Sequence, residues 1–227
     1  MGPSPALYIV DTPLITQALI SFLRQHFPHV HPLDPTGATL PPFPPYACLL
    51  VEVHLPDHRC GLHWAHSLHR QYPHLHLIPW TTHPSSFHLW LAYQWGFPAF
   101  LDKAMPAAEL LYHLGLLLQG QATWPRPLFQ RAVEWGQRVA PVLTGLSVDL
   151  WRVWEGLLRG EEVEVLSRRL GLSEGTVRRK RKELLEALSA QGWAEAVHKA
   201  CEWGLVEVNN GRLAFRSVVW EVFVEQR

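Results

Sequence analysis

At 227 residues the chain is long enough for one large or two small domains, and 48% hydrophobic with 18% charged residues excludes wholesale disorder. Basic and acidic side chains balance at 20 each, so any nucleic-acid surface must come from local patterning rather than overall charge. No apolar run approaches the roughly 20 residues of a membrane span. The N-terminus has no basic flank before an apolar stretch, and Cys48, Cys60 and Cys201 are scattered. The expectation is a cytoplasmic protein with no membrane contact, secretory leader or disulfide scaffold.

In chain order, residues 6–10 read as a short apolar strand, 14–27 as a helix and 30–33 as a second strand. The proline-rich segment 34–45 cannot form a regular helix, because proline lacks the amide and restricts its predecessor. It either packs flat on a sheet or leaves a groove for a partner or ligand. Residues 48–53, 75–80 and 99–101 read as strands, and 61–71, 85–94 and 107–118 as helices. This alternation predicts a doubly wound parallel α/β sheet, with Leu110, Leu111, Leu114, Leu117 and Leu118 largely in the core.

Residues 120–127 look like a linker, followed by a connecting helix over 128–142. The pattern then becomes helical: 149–158, 162–170, 173–188 and 194–203, joined by short turns. Residues 205–215 read as a hairpin with an Asn-Gly turn, and 217–225 fit an amphipathic helix slightly better than a strand. Trp64, Trp154 and Trp203 fall at packing positions.

Residues 1–143 hold 7 basic and 7 acidic side chains and residues 144–227 hold 13 and 13, so neither half carries a net charge. From Arg168 to Lys182, however, seven basic residues face Glu174 alone. Within that stretch Val163, Leu166 and Leu170 share one helical face, Gly171-Leu172 gives a tight turn, and Ser173 is a natural N-cap. On the next helix Val177, Leu184 and Leu188 form the buried back. Arg179 and Lys182 point the other way, with Arg178 on the flank. A helix-turn-helix offers such positions to the major groove. A solvated basic helix without a partner is the bland reading, disfavoured because the cluster is nearly free of acids.

Residues 160–188, GEEVEVLSRRLGLSEGTVRRKRKELLEAL, resemble the LuxR-type helix-turn-helix of NarL/FixJ response regulators. Leu146-Ser147 resembles that domain's opening, and 193–205 its closing helix, which in the family often dimerises. The resemblance implies that Thr176 and Arg178 contact phosphates and that Arg179 reads bases, with Lys180 where a histidine is usual. Arg181 stands where the family has an apolar core residue, so its guanidinium must snorkel outward, and Arg152 replaces a glutamate.

The first 120 residues resemble the receiver domain of the same regulators, a flavodoxin-like fold phosphorylated on an aspartate. Asp11 matches one of the paired metal-holding acids, Glu52 the phospho-acceptor, Thr81 the switch hydroxyl and Lys103 the pocket lysine. Glutamate is one methylene longer than aspartate, and an ångström of misplacement costs about a hundredfold in a positioned reaction. One metal-holding acid is also missing, which disfavours Mg²⁺. The longer acid is expected to reach Lys103, giving a degenerate pocket and a receiver-like domain that works without phosphorylation. A tolerated acid with no signalling role is the alternative.

Of 14 histidines, 13 precede residue 114. His63 and His66, at i,i+3 beside His54, His58, Cys60 and His69, raise the speculative option of Zn²⁺ or a similar metal, or of pH sensing. A solvated histidine-rich face is the default, and no cofactor is expected. An enzyme is disfavoured, since no G-x-S-x-G, P-loop or G-x-G-x-x-G is present.

The expected layout is a pseudo-receiver over 1–120, a linker with helix over 121–143, an all-α helix-turn-helix domain over 144–205 and a C-terminal extension over 206–227. The expected function is sequence-specific regulation of transcription, as a homodimer on double-stranded DNA, with RNA polymerase as a candidate further partner. The rivals are a metal- or pH-responsive regulator using the histidine-rich half, and a protein-interaction adaptor.

Overall fold

A computed structural model describes residues 6–37, 40–45, 47–55, 60–209 and 211–225. The chain divides into two compact units, 1–132 and 133–227, with the dividing point inside one helix, Arg126–Arg138.

The first unit is built on short apolar runs. β1 (Leu7–Val10) and β3 (Cys48–Glu52) are buried at every position, as strands covered on both faces must be. With β2 (Val30–Pro32), β4 (His76–Thr81) and β5 (Leu101–Asp102) they form a parallel sheet in the order β2-β1-β3-β4-β5. Four helices connect and cover it: α1 (Pro13–Leu23), α2 (Gly61–Gln71), α3 (Ser86–Gln94) and α4 (Ala107–Leu117). Leu19, Ile20 and Leu23 of α1 and Leu110, Leu114 and Leu117 of α4 join one core with Leu7, Ile9, Leu50 and Ile78, while Leu111 and Leu118 pack at its margin. Each fully buried leucine contributes about 1.5–3 kcal/mol.

Between β2 and β3 no helix forms among the described residues. Phe43, from the proline-rich segment, is buried edge-on against Tyr8 (centroids 5.0 Å apart) and Tyr72 (5.1 Å), and its carbonyl lies 3.3 Å from His74 Nε2. One aromatic ring thus fixes the segment on the sheet.

The expected connecting helix is two helices, α5 (Arg126–Arg138) and α6 (Ala140–Gly145), broken at Val139. Pro141 explains the break. It has no amide to continue the ladder, but it is tolerated in the first turn of α6.

The second unit continues with α7 (Val148–Leu158), α8 (Val163–Leu170), α9 (Glu174–Ala187) and α10 (Trp193–Glu202). Ser147 caps α7 by accepting from Leu150 N at 3.4 Å. A hairpin follows, β6 (Val206–Asn209) antiparallel to β7 (Arg212–Phe215), with Asn209 opposite Arg212 and Gly211 at φ +74°. Asn210, half of the expected Asn-Gly turn, lies outside the described residues. The final segment is a short helix, α11 (Ser217–Trp220), running into a π-helical turn, Glu221–Glu225, rather than one amphipathic α-helix.

Trp151 and Trp154 of α7 are fully buried. Phe215 packs edge-on against both at 5.1 Å, and Phe223 stacks on Trp151 at 5.8 Å. These rings build the hairpin and terminal turn into the helical core. Trp64 and Trp203 are only half-buried.

Gly156 lets α7 and α8 approach, since a Cβ there would overlap Leu166 Cδ2 and crowd Arg169 and Glu161. Gly156→Ala should lower stability by about 1–2 kcal/mol, overpacking outweighing the better helix propensity of alanine. Urea unfolding of the full chain measures it; an unchanged midpoint would mean that the contact relaxes freely.

Candidate functional site

Two constellations stand out, one at the C-terminal edge of the sheet and one on α9.

In the sheet, Val10 pairs with Val51, Glu52 with Trp80, and Thr81 with Asp102. This register brings Asp11, Glu52, Thr81 and Lys103 to one edge, where open α/β sheets gather their functional groups. Lys103 Nζ donates to Asp11 Oδ2 at 2.5 Å and also to Glu52 Oε2. It lies 4.8 Å from the centre of the Trp80 ring, a cation–π distance. The side chains of Asp11, Glu52 and Lys103 retain only 1%, 9% and 16% of their exposure.

The other carboxylate oxygens are also engaged. Glu52 Oε1 accepts from His54 N at 2.9 Å, and Asp11 Oδ1 from Thr12 N at 2.6 Å. Thr81 is buried, and its carbonyl accepts from Lys103 N at 3.0 Å. Gly61 opens α2 directly against Glu52; a Cβ there would overlap the Glu52 carbonyl oxygen. Two carboxylates therefore converge on one ammonium.

The histidines do not assemble in the same way. His63 is exposed on α2, and the His66 ring stacks on Trp95 at 4.3 Å. His58 lies outside the described residues. Among the described residues no group of three or more His, Cys, Asp or Glu is placed to hold a metal ion.

In the second unit, Gly171 ends α8 in the left-handed conformation, at φ +66°. Ser173 then caps α9 by accepting from Thr176 N at 3.2 Å, and its hydroxyl also meets Thr176 Oγ1 at 2.9 Å. Val177, Leu184 and Leu188 are buried.

The cations of this region divide into an outward set and an engaged set. Arg178, Arg179 and Lys182 project outward, their side chains 66%, 70% and 81% exposed. Each has an acid one turn away: Glu174 at 2.8 Å, Glu183 at 3.5 Å and Glu186 at 3.7 Å. Exposed pairs of this kind are worth at most about 1 kcal/mol, so the cations remain available to a stronger anion.

Lys180, by contrast, reaches back to Asp149 of α7 at 3.0 Å and is mostly covered, which separates it from the outward set. The Arg181 guanidinium does leave the core, but it lands on the Trp193 indole, 4.4 Å from the ring centre. Arg169 is tied to Glu161 at 2.9 Å and to the Arg152 carbonyl at 3.3 Å. The dense basic run is thus part surface and part structural brace. The i,i+4 acids were readable from spacing; Asp149 and Trp193 were not, because only the tertiary fold brings them close.

No protein-family model and no curated protein sequence matches the chain. Solved structures do. The RcsB response regulator of Salmonella typhimurium is 15% identical over 88% of this chain and 100% of its own, with a TM-score of 0.60. A structure of two RcsB dimers bound to two parallel DNAs is 16% identical over 88% and 99%, with a TM-score of 0.56. An RcsB–DNA complex is 15% identical over 88% and 99%, with a TM-score of 0.54. The fold is that of a two-domain response regulator, a receiver-like α/β unit followed by a helix-turn-helix unit.

Lys103→Met should destabilise the chain by about 3–5 kcal/mol, because it leaves two buried carboxylates facing each other. Glu52→Gln should cost less, since Lys103 keeps Asp11. Denaturant unfolding of both variants provides the comparison, and equal losses would contradict the shared-lysine account.

Proposed function

We propose that this protein is a DNA-binding transcription regulator rather than an enzyme, and that it acts as a homodimer on double-stranded DNA. The observation that carries this reading is the outward row Arg178, Arg179 and Lys182 on a capped helix whose opposite face is buried. A helix docked in the major groove presents such a row to phosphates and guanine edges. The RcsB dimers seen on DNA support both the mode and the dimeric state.

Thr176 and Arg178 are assigned to the phosphates, Arg179 to base edges and Lys182 to the neighbouring backbone. Lys180, held by Asp149, sets the angle of α9 against α7. Selection from a random DNA pool supplies the operator. On it, Arg179→Ala should cost about 1–3 kcal/mol of discrimination. Arg178→Ala should weaken all sequences alike and lower the salt slope by about one. Retention on DNA that does not weaken with salt would remove this reading.

The receiver-like unit is read as working without phosphorylation. Both Glu52 oxygens are engaged, one by Lys103 and one by the His54 amide, and a metal would have to displace the lysine. Incubation with acetyl phosphate and Mg²⁺ should leave the intact mass unchanged, with no rise in DNA affinity. A phosphorylated Glu52 or Asp11 in the mass spectrum would sink it.

A further inference from the structure

The outward side of α9 carries acids as well as bases. Glu174, Glu183 and Glu186 each stand one turn from an outward cation. On a helix that meets DNA this needs a cause, because a carboxylate beside phosphates weakens binding. The major groove offers such an acid favourable partners, the exocyclic amino groups of cytosine and adenine.

The three pairs differ in geometry. Glu174 Oε2 accepts from a terminal nitrogen of Arg178, Nη2, at 2.8 Å, so that guanidinium is engaged at its tip. Glu183 Oε1 instead faces Arg179 Nε, at 3.5 Å. Among the described residues no hydrogen bond takes up the terminal nitrogens of Arg179 or Glu183 Oε2. The arginine fork that meets guanine O6 and N7 is therefore open, and one carboxylate oxygen beside it is open as well. Glu186 pairs with Lys182, a point charge that has no such fork.

Spacing sets these groups in order around the helix. Arg178 and Lys182 lie one turn apart on one side of Arg179, and Glu183 lies on the other. From Arg179 to Glu183 the helix rises about 6 Å, four residues at about 1.5 Å each. Base pairs are about 3.4 Å apart. With Arg179 on a guanine, Glu183 stands within two base pairs of it.

We propose that Glu183 is a second specificity-determining residue, accepting from the N4 amino group of a cytosine within two base pairs of the guanine met by Arg179. Oε1 steadies the Arg179 guanidinium and Oε2 takes the base. This rests on α9 being the DNA-reading helix, and it extends the element read from a guanine to a guanine with a nearby cytosine.

Selection from a random DNA pool, run with the full-length protein and with single variants, tests it. The wild-type operator should hold a cytosine within two base pairs of the position whose preference disappears in Arg179→Ala. Glu183→Gln should move the preference at that cytosine to adenine, because an amide pairs with adenine N6 and N7. Glu183→Ala should cut discrimination there at least about fivefold, while binding to unrelated DNA tightens as a negative charge leaves the surface. Glu186→Ala should also tighten unrelated DNA but leave the operator unchanged. The Glu183 and Glu186 side chains are 46% and 65% exposed, so the urea midpoint should stay that of the wild type. A Glu183→Gln profile identical to wild type, or no cytosine near the Arg179 position, overturns the inference and leaves Arg179 as a base reader. A wild type that selects no sequence removes both.

Discussion

A single ammonium group is the point on which the first unit turns. Lys103 follows β5, Asp11 follows β1 and Glu52 ends β3, so one cation links three strand ends that are far apart in sequence. Each partner is almost out of water, where an unpaired charge costs several kcal/mol. The parallel sheet can end its strands in acids here only because the lysine is present, and the lysine is tolerated because two acids share it. The ammonium acts in this arrangement as a fastener.

The second unit solves a related problem with different means. A helix that is to meet an anion must show cations, yet it must also be gripped from behind. α9 divides its basic residues between these tasks. Lys180 and Arg181 are engaged by Asp149 and Trp193, while Arg178, Arg179 and Lys182 stay outside in weak pairs with acids of their own helix. The aromatic packing of Trp151, Trp154, Phe215 and Phe223 holds α7, against which Lys180 is braced.

Much of this was legible from the residues. The buried runs at Leu7–Val10 and Cys48–Glu52 have no polar face to mislead, and Ser173 with Gly171 brackets α9 plainly. The approach of Glu52 to Lys103 follows from one extra methylene, but sharing with Asp11 depends on strand register, which local patterning does not contain. The break at Val139 does not show in the apolar spacing, which continues past it; Pro141 is its one sign in the sequence. Lys180 looked like its neighbours, since sequence shows charge but not the acid across the fold. The π-helical turn after Trp220 arises where the Phe223 ring must reach Trp151, a demand of tertiary packing.

The crossover from β2 to β3 has a different implication. Five prolines between positions 34 and 45 already restrict the unfolded chain, so ordering this stretch loses less entropy than ordering a flexible loop of the same length. Among its described residues Phe43 alone is buried, so what holds it to the sheet is one ring rather than the contacts of a helix. The other described residues of the stretch are thereby released from core duty. The crossover is the part of the α/β unit whose sequence can drift most while the strands stay in register.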